Sequence, residues 1–355
     1  MSKKSAIRIG DNYISRQHAP YIVAEMSGNH NQSIDRAMKI VEAAAQSGVH
    51  ALKLQTYTAD TITLDINEGK FFINDPESLW KGQSLHSFYR KAYTPWEWHE
   101  EIFRKCQKMG LSFFSTPFDE TAVDFLESLN VPAYKISSFE TVHLPLIRKV
   151  AATGKPIILS TGMASISELD EAVQEIRKAG NKDLILLKCT SNYPAMPNNV
   201  NILTIPHMRK LFDCNVGLSD HSVGVGIALA AIAHGAVMIE KHFTLRRDDG
   251  GVDSPFSMEP EEMKMLSLES HKAWSSLGDV QYGPTESEKQ SIAFRQSIYV
   301  SSDTKKGELF TKKNLRIVRP GSGLPPKYYD LILGKRASKN LKKGTPFEWD
   351  FFKNA

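Results

Sequence analysis

Two histidines each close a short strand-like run and stand beside acids, in Ser219-Asp-His221 and Glu240-Lys-His242. A strand turns successive side chains to opposite faces, so Ser219 shares a face with His221, and Glu240 with His242. Neighbouring strands lie about 4.8 Å apart. Two imidazoles at adjacent strand ends can therefore reach one divalent ion, with a carboxylate and water filling its shell. Such a donor set suits Mn2+, Mg2+, Co2+ or Zn2+, and residue types alone do not choose among them.

Lysines recur in the same kind of place. Lys53 shares a strand face with Gln55, and Lys135, Lys188 and Lys241 occupy three other runs. A lysine inside a strand is costly unless it meets an anion. Any one of the four could turn to a helix-facing side and be satisfied there. Together at the strand ends they predict an anionic ligand, a phosphate or a carboxylate, with Ser138, Ser191 and Ser219 adding hydroxyl donors.

These residues sit at the ends of eight apolar runs: 21–25, 51–55, 112–116, 133–137, 156–160, 184–188, 215–219 and 238–242. Helical periodicity separates almost all of them, as in Ala37, Ile40, Val41 and Ala44 after the first. Eight β-then-α units match the size of a (β/α)8 TIM barrel, about 250 residues, whose chemistry lies at the strand C-termini. The rival doubly wound sheet would want a Gly-rich fingerprint after its first strand. Met26-Ser-Gly-Asn-His-Asn31 is not one, and the Gly-x-Gly at 224–226 lacks its third glycine. The chain carries no Gly-x-x-x-x-Gly-Lys-Ser/Thr loop either. Nucleotide readings are therefore poor.

The stretch 58–94 shows no clear periodicity and carries Phe71, Phe72, Trp80, Phe88 and Tyr89. It reads as a lid or interface, or as a loop packed on its own aromatics. Past Gly278 the pattern changes to turn signals and two short strands, 297–300 and 315–318. The expected organisation is a barrel over 1–280, a linker over 281–295 and a small C-terminal domain over 296–355.

The 355 residues are 41% hydrophobic and 24% charged, which fits a globular protein and excludes disordered and fibrous classes. No apolar run is long enough to cross a membrane, and the start MSKKSAIRIGDNYIS has no apolar signal core. Cys106, Cys189 and Cys214 are too few and too scattered for a disulfide framework. The expected location is the cytoplasm. The net charge of +4 divides into +8 over residues 296–355 and −4 over the rest. The basic residues of the C-terminal part are scattered among apolar ones, which argues against nucleic acid.

The motifs also carry a resemblance. Ala24-Glu-Met-Ser-Gly-Asn-His-Asn31, Leu52-Lys-Leu-Gln-Thr-Tyr57, Phe114-Ser-Thr-Pro-Phe-Asp119, Tyr134-Lys-Ile-Ser-Ser-Phe-Glu140, Gly217-Leu-Ser-Asp-His221, Glu240-Lys-His-Phe243 and Arg319-Pro-Gly-Ser-Gly323 resemble the sialic acid synthase family. The resemblance runs in order along nearly the whole chain. It implies a (β/α)8 barrel followed by an antifreeze-like (SAF) domain. It also implies a homodimer in which that domain covers the partner's active site, with Arg319 reaching the partner's sugar.

The implied reaction condenses phosphoenolpyruvate with an amino-sugar aldehyde and water, using a divalent metal. Lys53, Lys135, Ser138, Ser191 and Ser219 would bind phosphoenolpyruvate. Glu25, Gln55, Glu140, Tyr193, Asp253 and Arg319 would bind the sugar. Glu25, Glu140, His221 and His242 would carry the catalysis, the two histidines as metal ligands. Within the family the wording is most similar to the branch that makes pseudaminic acid from 2,4-diacetamido-2,4,6-trideoxy-L-altrose. Gln32, Leu54 and Ser191 stand where neuraminate synthases commonly have Gly, Phe and Asn. Neuraminate or legionaminate synthesis is the alternative product. A Schiff-base aldolase and a non-catalytic sugar-binding homologue are the rivals from other classes.

Overall fold

The structure, a computed structural model, describes residues 6–76, 78 and 80–352. The charged start, residues 1–5, lies outside the described residues. The chain divides into two compact units, Met1–Gly278 and Asp279–Ala355.

The first unit opens with an antiparallel hairpin, β1 (Ile7–Ile9) and β2 (Asn12–Ile14). Eight parallel strands follow: β3 (Tyr21–Glu25), β4 (Ala51–Thr56), β5 (Ser112–Pro117), β6 (Tyr134–Ile136), β7 (Ile157–Ser160), β8 (Leu184–Cys189), β9 (Asn215–Ser219) and β10 (Met238–His242). They pair in chain order, and β10 closes on β3 to complete a barrel. The expected (β/α)8 barrel is therefore present, and each of its strands falls within a residue or two of its predicted run.

Alternation along the strands sorts the side chains. Tyr21, Val23, Ala51, Phe114, Ala133, Ile158, Ile185, Leu187 and Met238 fill the interior, where the hairpin's Ile7, Ile9 and Ile14 join them and plug the N-terminal end. The opposite parity, with Ile22, Ala24, Leu52, Leu54, Leu186 and Leu218, packs outward on the helices. Those helices are α1 (Ile34–Gln46), then, after the long excursion, α4 (Trp96–Lys108), α5 (Glu120–Ser128), α6 (Leu144–Ala152), α7 (Ile166–Lys178), α8 (Thr204–Phe212), α9 (Gly226–Ala233) and α10 (Pro260–Ser275). Ser33, Asp119 and Ser165 cap three of them by accepting backbone N–H bonds, as short polar side chains do at helix starts. Among the described residues no helix is long and apolar enough to cross a membrane.

The excursion between β4 and α4 is less irregular than its sequence suggests. It carries two short helices, α2 (Ala59–Ile62) and α3 (Leu85–Ala92), capped by Thr58 and Ser84. Eight residues rich in aromatics leave too few turns for a periodic signal. His86 ties the segment together, with Nε2 2.8 Å from Asp60 and Nδ1 3.3 Å from Asp65.

In the second unit, β11 (Ser297–Val300) and β12 (Leu315–Val318) form an antiparallel pair. α11 (Tyr329–Ile332) and several isolated bridges complete it around Ile298, Val300, Phe310, Leu315, Ile332 and Phe347. A 3-10 helix, Glu286–Phe294, lies within residues 281–295.

Candidate active site

The alternation that fills the barrel with apolar groups at its N-terminal end brings charge to its C-terminal end. Glu25, Lys53, Lys135 and Glu240 converge there, all fully buried. Lys53 Nζ lies 2.6 Å from Glu25 Oε2 and 3.5 Å from Glu240 Oε1, and Lys135 Nζ lies 3.4 Å from the same Glu240 oxygen. Gln55 donates to Glu25 Oε1 at 3.0 Å. Ser219 Oγ donates to Glu240 Oε1 at 3.5 Å. Glu240 Oε2 is buried with no hydrogen-bond partner.

The two carboxyls differ in their surroundings. Burial raises Glu25, and Lys53 only partly offsets it. Burial would raise Glu240 as well, but Lys135, Lys53 and His221 outweigh it and hold that carboxyl below the usual range. Burial lowers Lys135, whereas Glu240 and Glu25 overcome burial at Lys53 and raise it.

Beside this cluster the strand ends form a cradle of small polar groups. The Gly162 N–H donates to Ser138 Oγ at 3.1 Å. A Cβ at Gly162 would lie 2.3 Å from Ser191 Oγ and 2.7 Å from Ser138 Oγ, so only glycine leaves the space between the two hydroxyls open. Ser160 Oγ, inward on β7, is buried without a hydrogen-bond partner. Ser160 and Gly162 were not among the sequence candidates. The parity of Ile158 on β7 would have pointed to Ser160, whereas the need for space at Gly162 depends on residues far along the chain.

His221 and His242 meet as expected, with ring centroids 5.3 Å apart. His221 Nδ1 lies 2.9 Å from the Thr190 carbonyl. A carbonyl only accepts, so Nδ1 carries the proton and Nε2 is the nitrogen left for a metal ion. Burial would lower the pKa of this histidine, but Cys189, the Thr190 carbonyl and Glu240 outweigh burial and raise it, so an ion would have to displace a proton there. Burial, with His221 and the lysines nearby, holds His242 well below the usual histidine range and so neutral. Its Nδ1 has no hydrogen-bond partner and lies 3.6 Å from Asp253 Oδ2. Two imidazoles side by side, one with an unpartnered ring nitrogen, fit the demands of a divalent ion. Among the described residues no group of three or more histidine, cysteine or acidic side chains is arranged to hold one. The remaining ligands would then come from water or substrate.

Cys189 is a further inward residue that the sequence reading passed over. Its Sγ lies 4.0 Å from His221 Nδ1 and 3.9 Å from Ser191 Oγ. Burial would raise this thiol, but His221, Ser138 and Lys135 bring it down to about 6.

Three of the sugar candidates, Glu140, Tyr193 and Asp253, lie in the chain just past the C-terminal ends of β6, β8 and β10. Ser27 donates to Asp253, and Ser137 to Glu140. Burial raises both carboxyls. The Tyr193 ring packs at a tilt against His221 and Phe256, with centroids 4.5 and 5.1 Å away. An aromatic arc continues from Tyr193 to Trp80 and Phe88, with Trp80 Nε1 donating to the Val252 carbonyl at 2.9 Å. Arg319 lies in the second unit, outside the barrel.

Two of the four lysines leave the pocket. Lys241 turns outward to Asp220 at 2.9 Å. Lys188, also outward, donates to the Cys189 carbonyl at 2.8 Å and to Thr190 Oγ1 at 3.1 Å. The period-two rule that pairs Glu240 with His242 already places Lys241 on the opposite face.

The chain is similar to known proteins. The model of the NeuB family matches residues 40–282, and that of the SAF domain matches residues 295–353. A relative from Helicobacter pylori named pseudaminic acid synthase is 43% identical, over 93% of this chain and 97% of its own length. A Campylobacter jejuni relative named N,N'-diacetyllegionaminic acid synthase is 38% identical, over 91% and 97%. The crystal structure of the Bacillus subtilis spore coat polysaccharide biosynthesis protein SpsE superimposes with a TM-score of 0.66 at 30% identity, covering 99% of this chain and all of that one.

Proposed function

The chain belongs to the NeuB family, and on that premise we propose that it is an enzyme acting as a pseudaminic acid synthase. It would condense phosphoenolpyruvate, 2,4-diacetamido-2,4,6-trideoxy-L-altrose and water into pseudaminic acid and phosphate. The observation that carries the reading is 43% identity to a protein of that name across nearly the full length of both chains. The buried lysine–serine pocket suits the phosphate and carboxylate of such a substrate.

Lys53 and Lys135, with Ser138, Ser160, Ser191 and the space left by Gly162, would hold the phosphoenolpyruvate anion by charge-assisted hydrogen bonds. His221 and His242 would hold a divalent ion, Mn2+, Mg2+ or Co2+, which when bound supplies Lewis-acid polarisation of the sugar aldehyde. The enol carbon then attacks the aldehyde carbon, and the aldehyde oxygen takes a proton. Glu25, whose pKa burial raises, would orient that oxygen or donate the proton. Carbon 2 of the former phosphoenolpyruvate, now electron-poor, adds water, and the tetrahedral intermediate expels phosphate. Gln55, Glu140, Tyr193 and Asp253 would orient the sugar's hydroxyl and acetamido groups. A homodimer would bring Arg319 of one protomer to the site of its partner. The three buried cysteines, none of them in a disulfide, accord with a cytoplasmic setting.

The test is phosphate release from phosphoenolpyruvate with Mn2+, run in parallel with the diacetamido-altrose and with N-acetylmannosamine, each with and without EDTA. Release with the altrose alone, abolished by EDTA, is the expected result. Release with N-acetylmannosamine alone would keep the family and replace the product with neuraminate. Trapping of a pyruvate imine by borohydride would instead favour the Schiff-base rival.

A further inference from the structure

The ammonium of Lys241 spends all three of its donors on groups the proposed reaction does not use. Asp220 Oδ2 accepts at 2.9 Å, the Ser222 carbonyl at 2.6 Å and the Gly224 carbonyl at 3.0 Å. The other oxygen of Asp220 accepts from the Ser222 N–H at 2.9 Å and from its hydroxyl at 2.6 Å. The side chains of Lys241 and Asp220 are 1% and 0% exposed.

Their positions connect this cluster to the chemistry. Asp220 directly precedes His221, and Lys241 directly precedes His242. Alternation turns the histidines inward and their predecessors outward, so the ion pair lies behind the imidazole pair. The Asp220 N–H also donates to the Glu240 carbonyl at 2.9 Å, which joins the two strand ends at this level. His221 itself lies beyond β9, in the turn whose carbonyls Lys241 holds. A buried ion pair is a weak stabiliser, because desolvation offsets its attraction and apolar pairs of equal volume often do as well. Full satisfaction of every donor and acceptor instead favours a single geometry.

We propose that Lys241 and Asp220 are positioning residues. They form a buried clamp that fixes the turn carrying His221 against β10, and so sets the spacing of the two imidazoles that hold the divalent ion. This rests on the two-histidine reading of the ion site.

The experiment measures Mn2+ affinity by electron paramagnetic resonance of the free ion, without substrates, and the thermal midpoint in EDTA. It compares the unsubstituted protein with Lys241→Met, Asp220→Asn, the double variant and His242→Ala. Leu169→Ala, a core truncation on α7, serves as a purely destabilised control. Loss of a group that orients metal ligands typically weakens affinity about 10–100-fold. Lys241→Met is expected to fall in that range, while Leu169→Ala binds Mn2+ normally despite a lower midpoint. The double variant removes the unpaired carboxylate, so it should recover part of the midpoint but not the affinity, since methionine cannot hold the two carbonyls. Unchanged affinity in Lys241→Met and Asp220→Asn would overturn the clamp and leave it a stability element. Should Lys241→Met not fold, the isosteric Asp220→Asn decides alone, with a loss of severalfold expected and no loss overturning the proposal. Full Mn2+ binding by His242→Ala, or none by the unsubstituted protein, would instead overturn the two-histidine site.

Discussion

Lys135 and Lys53 are both sealed from water, yet they titrate in opposite directions. Lys53 has two carboxylates within 3.5 Å, and they more than repay its burial. Lys135 has one at 3.4 Å and is left with a lowered proton affinity. It is thus the ammonium with unmet demand, and an incoming phosphate or carboxylate would stabilise it. A hydrogen bond to a charged group contributes about 1.5–3 kcal/mol. Lys135→Met should therefore raise the KM for phosphoenolpyruvate about ten- to a hundredfold. The KM for the sugar should move much less, and steady-state kinetics with each substrate varied in turn checks both.

At the scale of elements, the loop after β3 is a hub. Asn31 donates to the carbonyls of Asp249 and Gly250, and Ser27 to Asp253, all in the segment after β10. Gln32 donates to the carbonyls of Lys91 and Tyr93 at 3.1 and 2.7 Å, at the C-terminal end of α3. One short loop thus holds both segments that carry the rim aromatics, Trp80 and Phe88 on one side and Phe256 on the other. Gln32 is exposed, so its two bonds together are worth about 1–2 kcal/mol. Gln32→Ala is expected to speed limited proteolysis within residues 57–94. It should also raise the sugar's KM severalfold while leaving that for phosphoenolpyruvate nearly unchanged. Equal effects on both substrates would place the damage in the barrel rather than the rim.

At the scale of the molecule, the two units differ in charge, +8 over residues 296–355 against −4 over the others, and Arg319 is encoded far from the pocket it is proposed to serve. The proposed dimer makes a sharp prediction. Arg319→Ala and His242→Ala should each be inactive alone. If Arg319 acts on the partner, a hybrid with one substitution in each protomer keeps one complete site, and co-expressed chains should recover up to half the activity per hybrid dimer. If Arg319 serves its own barrel, no hybrid site is complete, and mixing recovers nothing. Tagging the two chains differently and purifying the hybrid before assay separates these outcomes.

Much of this was readable from residue order, because the determining physics is local. Period-two alternation and the polar residues closing each run suffice to place eight strands and to bring Glu25, Lys53, His221 and His242 to one end of a barrel. The same rule would have sent Lys188 and Lys241 outward had it been applied to them. Other features depend on residues that only the closed barrel brings together. Gly162 must lack a side chain because Ser138 and Ser191 flank it. Glu25 and Glu240 titrate apart because two lysines from other strands approach them unequally. The three donors of Lys241 find Asp220, Ser222 and Gly224 only when β9 and β10 lie side by side. Strand parity is written in the spacing of a single segment, whereas burial, close approach and charge coupling are properties of pairs distant in sequence, and these the tertiary structure decides.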